Sequence, residues 1–495
     1  MNDTFDFEPQ DTDREVTPGI GAHTSQLRSA GEALSLGVAG TLVGLKFPAL
    51  LREMKRAQWL AQSELEARAE PRLARLLRHA AENVPFYRDT YERLGLAPGE
   101  LLTIKDLQML PVVSKASFLA EPAERFLASG TPPYASVTTV TSGSTGEPFA
   151  FALDRGKLRR IFASHIFYDS WYGVRPFHRG MRIGSPSSQP SPLPSDMPTG
   201  FRLRQEFSRR LQHLYEALTL KKIKLWSFDE KQAADIYRQI ETVRPFYVYS
   251  GASTLAALAD MLLRQNLRLR RPPHCVISIA ETMTPHRRRL IETYFRAPIV
   301  NRYGLREQGY WSAQSCPEAP EHFHVNTELV VLEVLRQDSS PAPEGEIGRI
   351  VITDLFNFSM PFIRYETGDL GVIVAGPCAC GRGFPRLGPI DGRSHECIRT
   401  PSGKIVTPAR WSHFLFVHKT EYAEAVCQYQ LMWQPPDRAR LMIVPSESFS
   451  GETQKRLRDD LAWLLGEDVL VSVETVTGIP PEKSGKRPIV KILDC

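Results

Sequence analysis

The stretch from Thr141 to Pro148, with the sequence TSGSTGEP, is rich in hydroxyl groups and glycine. Strand-favouring residues precede it at 136–140 and follow it at 149–152, so we predict a loop between two strands. Its backbone N–H groups and small hydroxyls can approach a polyphosphate closely. No Lys follows the second Gly, so the loop lacks the GxxxxGK[ST] pattern and charge must be neutralised from elsewhere. Taken alone, a plain Ser/Gly hairpin turn is the alternative.

Three other stretches carry groups suited to nucleotide chemistry. NRYGLRE at 301–307 directly follows a predicted strand, IRYETGDLG occupies 363–371, and SGKR lies near the C-terminus at 484–487. Each is short enough to occur by chance. All four stretches in this order, over a chain of this length, form a strong signal for nucleotide chemistry.

Together these motifs resemble the adenylate-forming superfamily of acyl-CoA synthetases, peptide-synthetase adenylation domains and luciferases. Within it the chain is most similar to the phenylacetate–CoA ligase branch, including its capsular-polysaccharide-biosynthesis-type members. The similarity runs from about Arg52 to the end of the chain. Besides 301–304, the segments that carry the branch-level resemblance are VPFY at 84–87, TDL at 353–355, MPFIRY at 360–365, CACGR at 378–382 and GRS at 392–394.

The resemblance implies a site for ATP. Tyr303 would stack on adenine, where an aromatic face suits a flat base, and Asp369 would accept hydrogen bonds from the ribose hydroxyls. Ala280 and Glu281 correspond to the segment at the adenine edge. The strand end that carries Tyr303 also contributes Asn301, Arg302 and Gly304. The residues that would grip the triphosphate are Thr141, Ser142, Gly143, Ser144, Thr145 and Gly146.

The same resemblance implies three catalytic groups. Glu307 would hold Mg²⁺, a cation that prefers carboxylate and phosphate oxygens. Lys486 would place its ammonium on the oxygens of the forming acyl-adenylate, and Arg393 would lie near the ribose or phosphate. From the residues alone, Asp369 could instead cap a turn and Glu307 could be a surface carboxylate.

The reaction implied is attack of a substrate carboxylate on the α-phosphate of ATP, with pyrophosphate leaving. The protein then supplies positioning and charge rather than a nucleophile. CoA is the expected acceptor of the acyl group, and an amine acceptor or transfer of AMP is the alternative. His395 and Glu396 stand where the branch usually has two acidic residues, which puts the hinge in question. A non-catalytic nucleotide-binding protein is the alternative from another class, but Glu307, Asp369 and Lys486 are all retained.

The acid itself is not specified by the sequence. Its pocket is expected to be lined by residues near 168–171, 249–253 and 278–281. Aromatic residues in these segments permit an aryl acid without excluding an aliphatic acid or an amino acid.

A zinc site is a further expectation. Cys378 and Cys380 place two thiols on a tight turn, and Cys316 with His324 or His322 lies earlier in the chain. Three Cys and one His would complete a closed tetrahedral structural site. The spacing alone leaves the matter open. Similarity to zinc-binding relatives favours the site and favours His324 over His322.

Composition narrows the class of protein. The formal net charge of +5, on 61 basic and 56 acidic residues, is too balanced to favour nucleic acid. Seven cysteines, an odd number, indicate a reducing compartment rather than a disulfide framework. The most apolar stretch, 34–51, contains Gly, Lys and Pro and predicts no transmembrane anchor. The N-terminal residues are acidic and do not resemble a secretory signal, so we predict a cytoplasmic protein.

We expect an α/β fold. Alternating helix and strand patterns across 229–300 predict a mostly parallel sheet, and 328–375 reads as a β-rich subdomain of antiparallel strands. The expected domains are a partly disordered N-terminal extension at 1–51, a large adenylation domain at 52–391 and a small mobile α+β lid domain at 392–495. The oligomeric state is left open, a homodimer included.

Overall fold

The structure is a computed structural model of the 495-residue chain. It describes residues 47–131, 136–141, 149–184, 197–224, 229–309, 311–390, 398–402, 405–406, 411, 415, 422, 425–480 and 488–493. The prediction of disorder near the N-terminus and the predicted hinge at 392–396 lie outside these ranges. Within them, no helix is both long and apolar enough to span a lipid bilayer.

Helices and strands alternate through the middle of the chain. The helices are α1 (Phe47–Ala57), α2 (Gln62–Asn83), α3 (Pro85–Leu94), α4 (Lys115–Leu119), α5 (Leu158–Trp171), α6 (Thr199–Thr219), α7 (Glu230–Val243), α8 (Ala252–Arg264), α9 (Pro285–Phe295) and α10 (Gly451–Leu465). The strands are β1 (Ser136–Thr141), β2 (Phe149–Asp154), β3 (Gly180–Gly184), β4 (Leu220–Lys224), β5 (Tyr247–Gly251), β6 (Cys275–Ile279), β7 (Ile299–Tyr303), β8 (Ala313–Ser315), β9 (Phe323–Val325), β10 (Val330–Leu335), β11 (Ile347–Asp354), β12 (Tyr365–Val374), β13 (Arg386–Leu387), β14 (Ile398–Arg399), β15 (Ile405–Val406), β16 (Val426–Gln434), β17 (Arg438–Pro445), β18 (Leu470–Thr475) and β19 (Val490–Ile492).

One sheet of 11 strands forms the framework, in the order β10-β11-β12-β13-β9-β8-β7-β6-β5-β3-β4. Strands β3 to β7 pair in parallel, which confirms the predicted parallel α/β sheet. Strands β7 to β13 pair antiparallel, so the predicted β-rich segment continues the same sheet rather than forming a separate one. In such sheets, ligands bind beyond the carboxyl ends of the parallel strands.

Helices α7, α8 and α9 cover one face of the parallel half. Met181 and Ile183 of β3 and Val248 of β5 are buried in one cluster with Leu255 and Leu258 of α8. Alternation along a strand then turns the intervening side chains to the opposite face, toward α5. The face toward α5 carries polar side chains, among them that of Arg302.

The N-terminal helices pack on the antiparallel half. Apolar residues fall at helical spacing from Arg52 to Asn83, which predicts one helix, but the structure has a break between Ala57 and Gln62. The carbonyl oxygen of Gln58 accepts a hydrogen bond from the Gly383 amide at 2.8 Å instead of continuing the helix. The break therefore coincides with a contact to a distant loop.

A buried polar network fastens the hairpin β1–β2 to the end of β11. The Lys157 ammonium and the Asp354 carboxylate form a fully buried ion pair. The Asp154 amide donates to Asn357 Oδ1 at 2.8 Å, and Asn357 Nδ2 donates to the Ala152 carbonyl at 3.0 Å. The strands that flank the hydroxyl-rich loop are thus fixed to the segment that leads into β12.

The C-terminal part of the chain has its own core. Strands β16–β19 form a four-stranded sheet, with β17 and β16 at its centre. Its buried cluster, which includes Trp411, Trp433 and Leu461, contains only residues from 398 onward. Helix α10 contributes Leu457 and Leu461 to this cluster.

The Lys157–Asp354 pair gives a testable expectation. Lys157→Met leaves the Asp354 carboxylate buried without its cation, at a cost of about 3–5 kcal/mol, and the melting temperature should fall by several degrees. The matched control is Arg456→Met, since Arg456 and Glu452 form an exposed pair at 2.6 Å; exposed pairs contribute little. Similar shifts in Tm for both variants, measured by scanning fluorimetry, would contradict this account.

Candidate active site and metal centre

Two tyrosine–carboxylate contacts join the end of β7 to β12. The Tyr303 hydroxyl, at the carboxyl end of β7, donates to Asp369 Oδ2 at 2.9 Å. The Tyr365 hydroxyl, at the start of β12, donates to Glu307 Oε1 at 3.3 Å. The segment at the end of β7 and the segment in β12 thus each provide one tyrosine and one carboxylate to this pair of contacts. The two motifs 301–307 and 363–371 meet where the fold leads us to expect a ligand.

The neighbouring strand end brings a third carboxylate to the same edge. Ala280 follows β6 with a positive φ of 62°, a left-handed conformation that turns the chain sharply. Glu281 Oε2 then accepts a hydrogen bond from the Ser253 amide, at the start of α8, at 2.6 Å. A Cβ on Gly251 would lie 2.7 Å from Glu281 Oε1, so a larger residue there would require the Glu281 carboxylate to move. A carboxylate at a helix N-terminus is stabilised by the helix dipole.

Arg302 lies one residue before Tyr303 but its side chain is turned toward α5. Its guanidinium donates to Gln314 Oε1 at 2.7 Å and forms an ion pair with Asp169. The Asn301 amide donates to Ser315 Oγ at 2.9 Å, and Gly304 directly follows β7. The described contacts of Arg302 are therefore within the protein, on the face opposite α7–α9.

Several residues expected in the site lie outside the described residues. They are Ser142, Gly143, Ser144, Thr145, Gly146, Arg393 and Lys486. Thr141 is the last residue of β1, immediately before the loop.

A buried arginine that the sequence reasoning did not single out supports this edge of the sheet. Arg364 has a positive φ of 46°, and its guanidinium contacts Glu333 at 3.0 and 3.2 Å and the Leu110 carbonyl at 2.6 Å. Since Arg364 directly precedes Tyr365, these bonds position the residues of β12 that face Glu307 and Tyr303. A charged residue within an apolar run such as MPFIRY is the signal that could have identified it.

Four potential metal ligands converge at one point. The ligand atoms of Cys316, His324, Cys378 and Cys380 all lie within 4.8 Å of one another. Cys316 Sγ and Cys378 Sγ are 3.6 Å apart, and Cys380 Sγ is 3.2 Å from His324 Nε2. Ligand atoms at tetrahedral positions around zinc lie about 3.5–3.8 Å apart. The cluster contains His324 and not His322, and its size fits a zinc ion.

The surroundings of His324 favour the neutral form of its imidazole ring, which is the form that can bind a metal ion. Burial lowers the pKa of His324 to about 4, so the imidazole is neutral near pH 7. Its Nδ1 lies 3.0 Å from the Phe384 carbonyl oxygen. With the Nδ1 proton donated to that oxygen, Nε2 directs its lone pair at the cysteines, an arrangement typical of metal-bound histidine.

The loop that carries Cys378 and Cys380 also anchors α1. The Arg382 guanidinium lies between two indole rings, 5.1 Å from the Trp59 centroid and 4.2 Å from that of Trp171 on α5. Its Nε donates to Gln58 Oε1 at 3.0 Å. These cation–π contacts connect the metal loop both to the N-terminal helices and to α5.

The fold is shared with a solved acyl-CoA ligase. A crystal structure of 2-hydroxyisobutyryl-CoA ligase, in the postadenylation state with 2-HIB-AMP, superimposes with a TM-score of 0.71. It is 21% identical and covers 88% of this chain and 91% of that protein. At this identity the likeness establishes the fold.

Sequence comparison finds relatives among the phenylacetate–coenzyme A ligases. Phenylacetate–coenzyme A ligase of Thermus thermophilus is 27% identical over 412 residues, which cover 81% of this chain and 86% of that protein. The phenylacetate–coenzyme A ligase of Escherichia coli K12 is 26% identical over 352 residues, 68% of this chain and 72% of that protein. No family model matches the chain. The chain is thus similar to phenylacetate–CoA ligases over more than two thirds of its length.

The contact between the metal loop and the turn after α1 can be tested at Gly383. A Cβ at this position would lie 1.7 Å from the Leu60 carbonyl oxygen. We expect Gly383→Ala to displace the loop and destabilise the protein by about 1–3 kcal/mol, seen as a lower melting temperature. Gly200→Ala in α6 is the matched control, because nothing lies within 4 Å of its added Cβ. An unchanged Tm for Gly383→Ala would contradict the proximity of these segments.

Proposed function

We propose that this protein is an ATP-dependent ligase that activates a carboxylic acid as its acyl-adenylate and transfers the acyl group to CoA. The observation that carries the proposal is the pair of contacts Tyr303–Asp369 and Tyr365–Glu307 at the carboxyl edge of the sheet. They bring two separate motifs into one site. The relatives, whose names denote CoA ligases, support CoA as the acceptor.

The residues of this edge have chemically distinct tasks in the proposal. The buried ring of Tyr303 offers a flat surface for adenine. Asp369 accepts a hydrogen bond from the Tyr303 hydroxyl, so its carboxylate is already oriented as an acceptor for ribose hydroxyls. The Tyr365 hydroxyl orients Glu307 in the same way, leaving carboxylate oxygens for Mg²⁺.

The chemical step needs positioning and charge. The substrate carboxylate oxygen forms a bond to the α-phosphorus, the bond from that phosphorus to the bridging oxygen breaks, and pyrophosphate leaves; Mg²⁺ held by Glu307 would neutralise charge on the phosphate oxygens. In our proposal Lys486 and Arg393 neutralise the phosphate and carboxylate oxygens as charge moves between them. The thiol of CoA then attacks the acyl carbon and AMP leaves. An amine acceptor, or transfer of AMP itself, remains the second candidate for this last step.

We further propose that Cys316, His324, Cys378 and Cys380 hold a structural Zn²⁺ ion. The donor set is complete for a tetrahedral site, leaving no position for substrate. Its contribution would be to stabilise the loop that Arg382 and Gly383 connect to α1. The reaction at β7 and β12 does not require it.

The activity is tested by carboxylate-dependent exchange of pyrophosphate into ATP, screened over aryl, aliphatic and amino acids. We expect exchange with one class of acid and a loss of about 100-fold or more in Lys486→Ala. Asp369→Ala should raise the KM for ATP roughly tenfold. Asp338→Ala, on an exposed turn where the carboxylate contacts Ser340, is the control and should match the wild type.

Adding CoA to the same assay identifies the acceptor. CoA-dependent release of AMP would support the thioester, whereas adenylation without it would favour an amine or another acceptor. If the protein binds ATP but no acid promotes exchange, the proposed ligase activity is wrong.

Metal analysis tests the zinc site. The purified protein should contain one zinc per chain, and Cys380→Ser and His324→Ala should each lose most of it because a ligand is removed. Cys427→Ser, a half-buried cysteine of β16 away from the cluster, should retain the metal. Because a ligand variant could also fail to fold, the wild type is titrated with chelator: zinc release should lower its melting temperature. A metal-free protein of unchanged Tm would overturn the assignment.

A further inference from the structure

We propose that the acid activated by this protein carries a second acceptor group, best matched by a second carboxylate, which Arg182 and Tyr249 bind. This inference rests on the ligase activity proposed above, and it concerns the substrate class that the site selects. The evidence lies on the face of the parallel sheet that is turned toward α5.

Arg182 projects from that face because its neighbours project from the other. Met181 and Ile183 are buried under α7–α9, so alternation places Arg182 on the α5 side. There it pairs in register with Tyr249 of β5, and its guanidinium lies 5.6 Å from the Tyr249 ring centroid. Both side chains are partly exposed.

Among the residues that the structure describes, no Asp or Glu side chain forms an ion pair with Arg182. Within those residues its recorded contact is the ring of Tyr249. Burial raises the pKa of the Tyr249 phenol, so its hydroxyl stays protonated and is a donor. The two side chains therefore present donors, and a positive charge, to this face of the sheet.

The other end of the same face is next to the expected nucleotide. Arg302 of β7 adjoins Tyr303, and its ion pair with Asp169 of α5 forms a polar wall there. Between this wall and Tyr249 lies β6, whose Ile279 is apolar and half-buried. From β7 to Tyr249 on β5 are two strand spacings, about 10 Å.

This face of the sheet is thus polar at Arg302, apolar at Ile279 and polar again at Arg182 and Tyr249. That order matches an extended acid with a functional group at each end. An alkyl or unsubstituted aryl acid would displace water from Arg182 and Tyr249. It would not replace the hydrogen bonds that this water makes with the two side chains. A distal carboxylate would accept hydrogen bonds from both and neutralise the arginine. A distal hydroxyl would provide the hydrogen bonds but not the charge, so the carboxylate is the better match.

The test compares acids that differ only at the distal end. Pyrophosphate exchange is measured with octanedioate against octanoate and with 4-carboxyphenylacetate against phenylacetate, for wild type, Arg182→Gln and Tyr249→Phe. We expect the wild type to prefer the diacid of at least one pair by about tenfold or more in kcat/KM. Arg182→Gln should remove most of that preference, mainly by lowering kcat/KM for the diacid, and Tyr249→Phe should reduce it less. Arg271→Gln, at an exposed arginine of the loop before β6, is the matched control.

The outcomes separate the two proposals. Equal or better exchange with the monoacids would overturn the inference on the substrate while supporting the ligase activity. An equal loss with both members of a pair in Arg182→Gln would also overturn it, because the arginine would then support the fold rather than the distal group. Failure of exchange with every acid, including those of the wider screen, would overturn the ligase activity and this inference together.

Discussion

The buried ion pair between Lys157 and Asp354 is the contact on which the arrangement of the site depends. Lys157 stands at the start of α5 and Asp354 at the end of β11, and both side chains are inaccessible to water. Removing one partner of such a pair leaves the other charge buried and unpaired, which costs several kcal/mol of folding free energy. It fixes the strands that flank the hydroxyl-rich loop against the segment leading to β12. The two parts of the expected nucleotide site thereby keep one relative position.

The carboxylates of the site are held by neighbours rather than left to solvent. Asp369 and Glu307 each accept a tyrosine hydroxyl, and Glu281 accepts the amide of Ser253. Each acid is therefore oriented as an acceptor before a ligand arrives, which reduces the ordering needed on binding. Asp169, on the other face of the sheet, instead forms an ion pair with Arg302.

Local patterns across 229–300 predicted β5, β6 and β7 to within a few residues, but not β3 and β4 of the same parallel half. The helix expected at 285–295 begins after Thr284, whose hydroxyl accepts from the Arg287 amide, and such caps are visible in sequence. Contacts between distant segments could not be predicted from such patterns. Arg302 meets Asp169 across 133 positions, and β13, two residues long, joins the halves of the sheet. The four metal-ligand candidates were identified through a family resemblance, not through their spacing.

The contact between the turn after α1 and the metal loop also has a consequence for the order of folding. Gln58 and Arg382 are separated by 324 positions, yet their side chains are hydrogen-bonded. At a synthesis rate of roughly 5–20 residues per second, the first segment waits on the order of 15–65 seconds for its partner. The parallel strands between 180 and 303 are available to one another much sooner. Helix α1, the first helix among the described residues, is thus among the last elements to reach its final contacts.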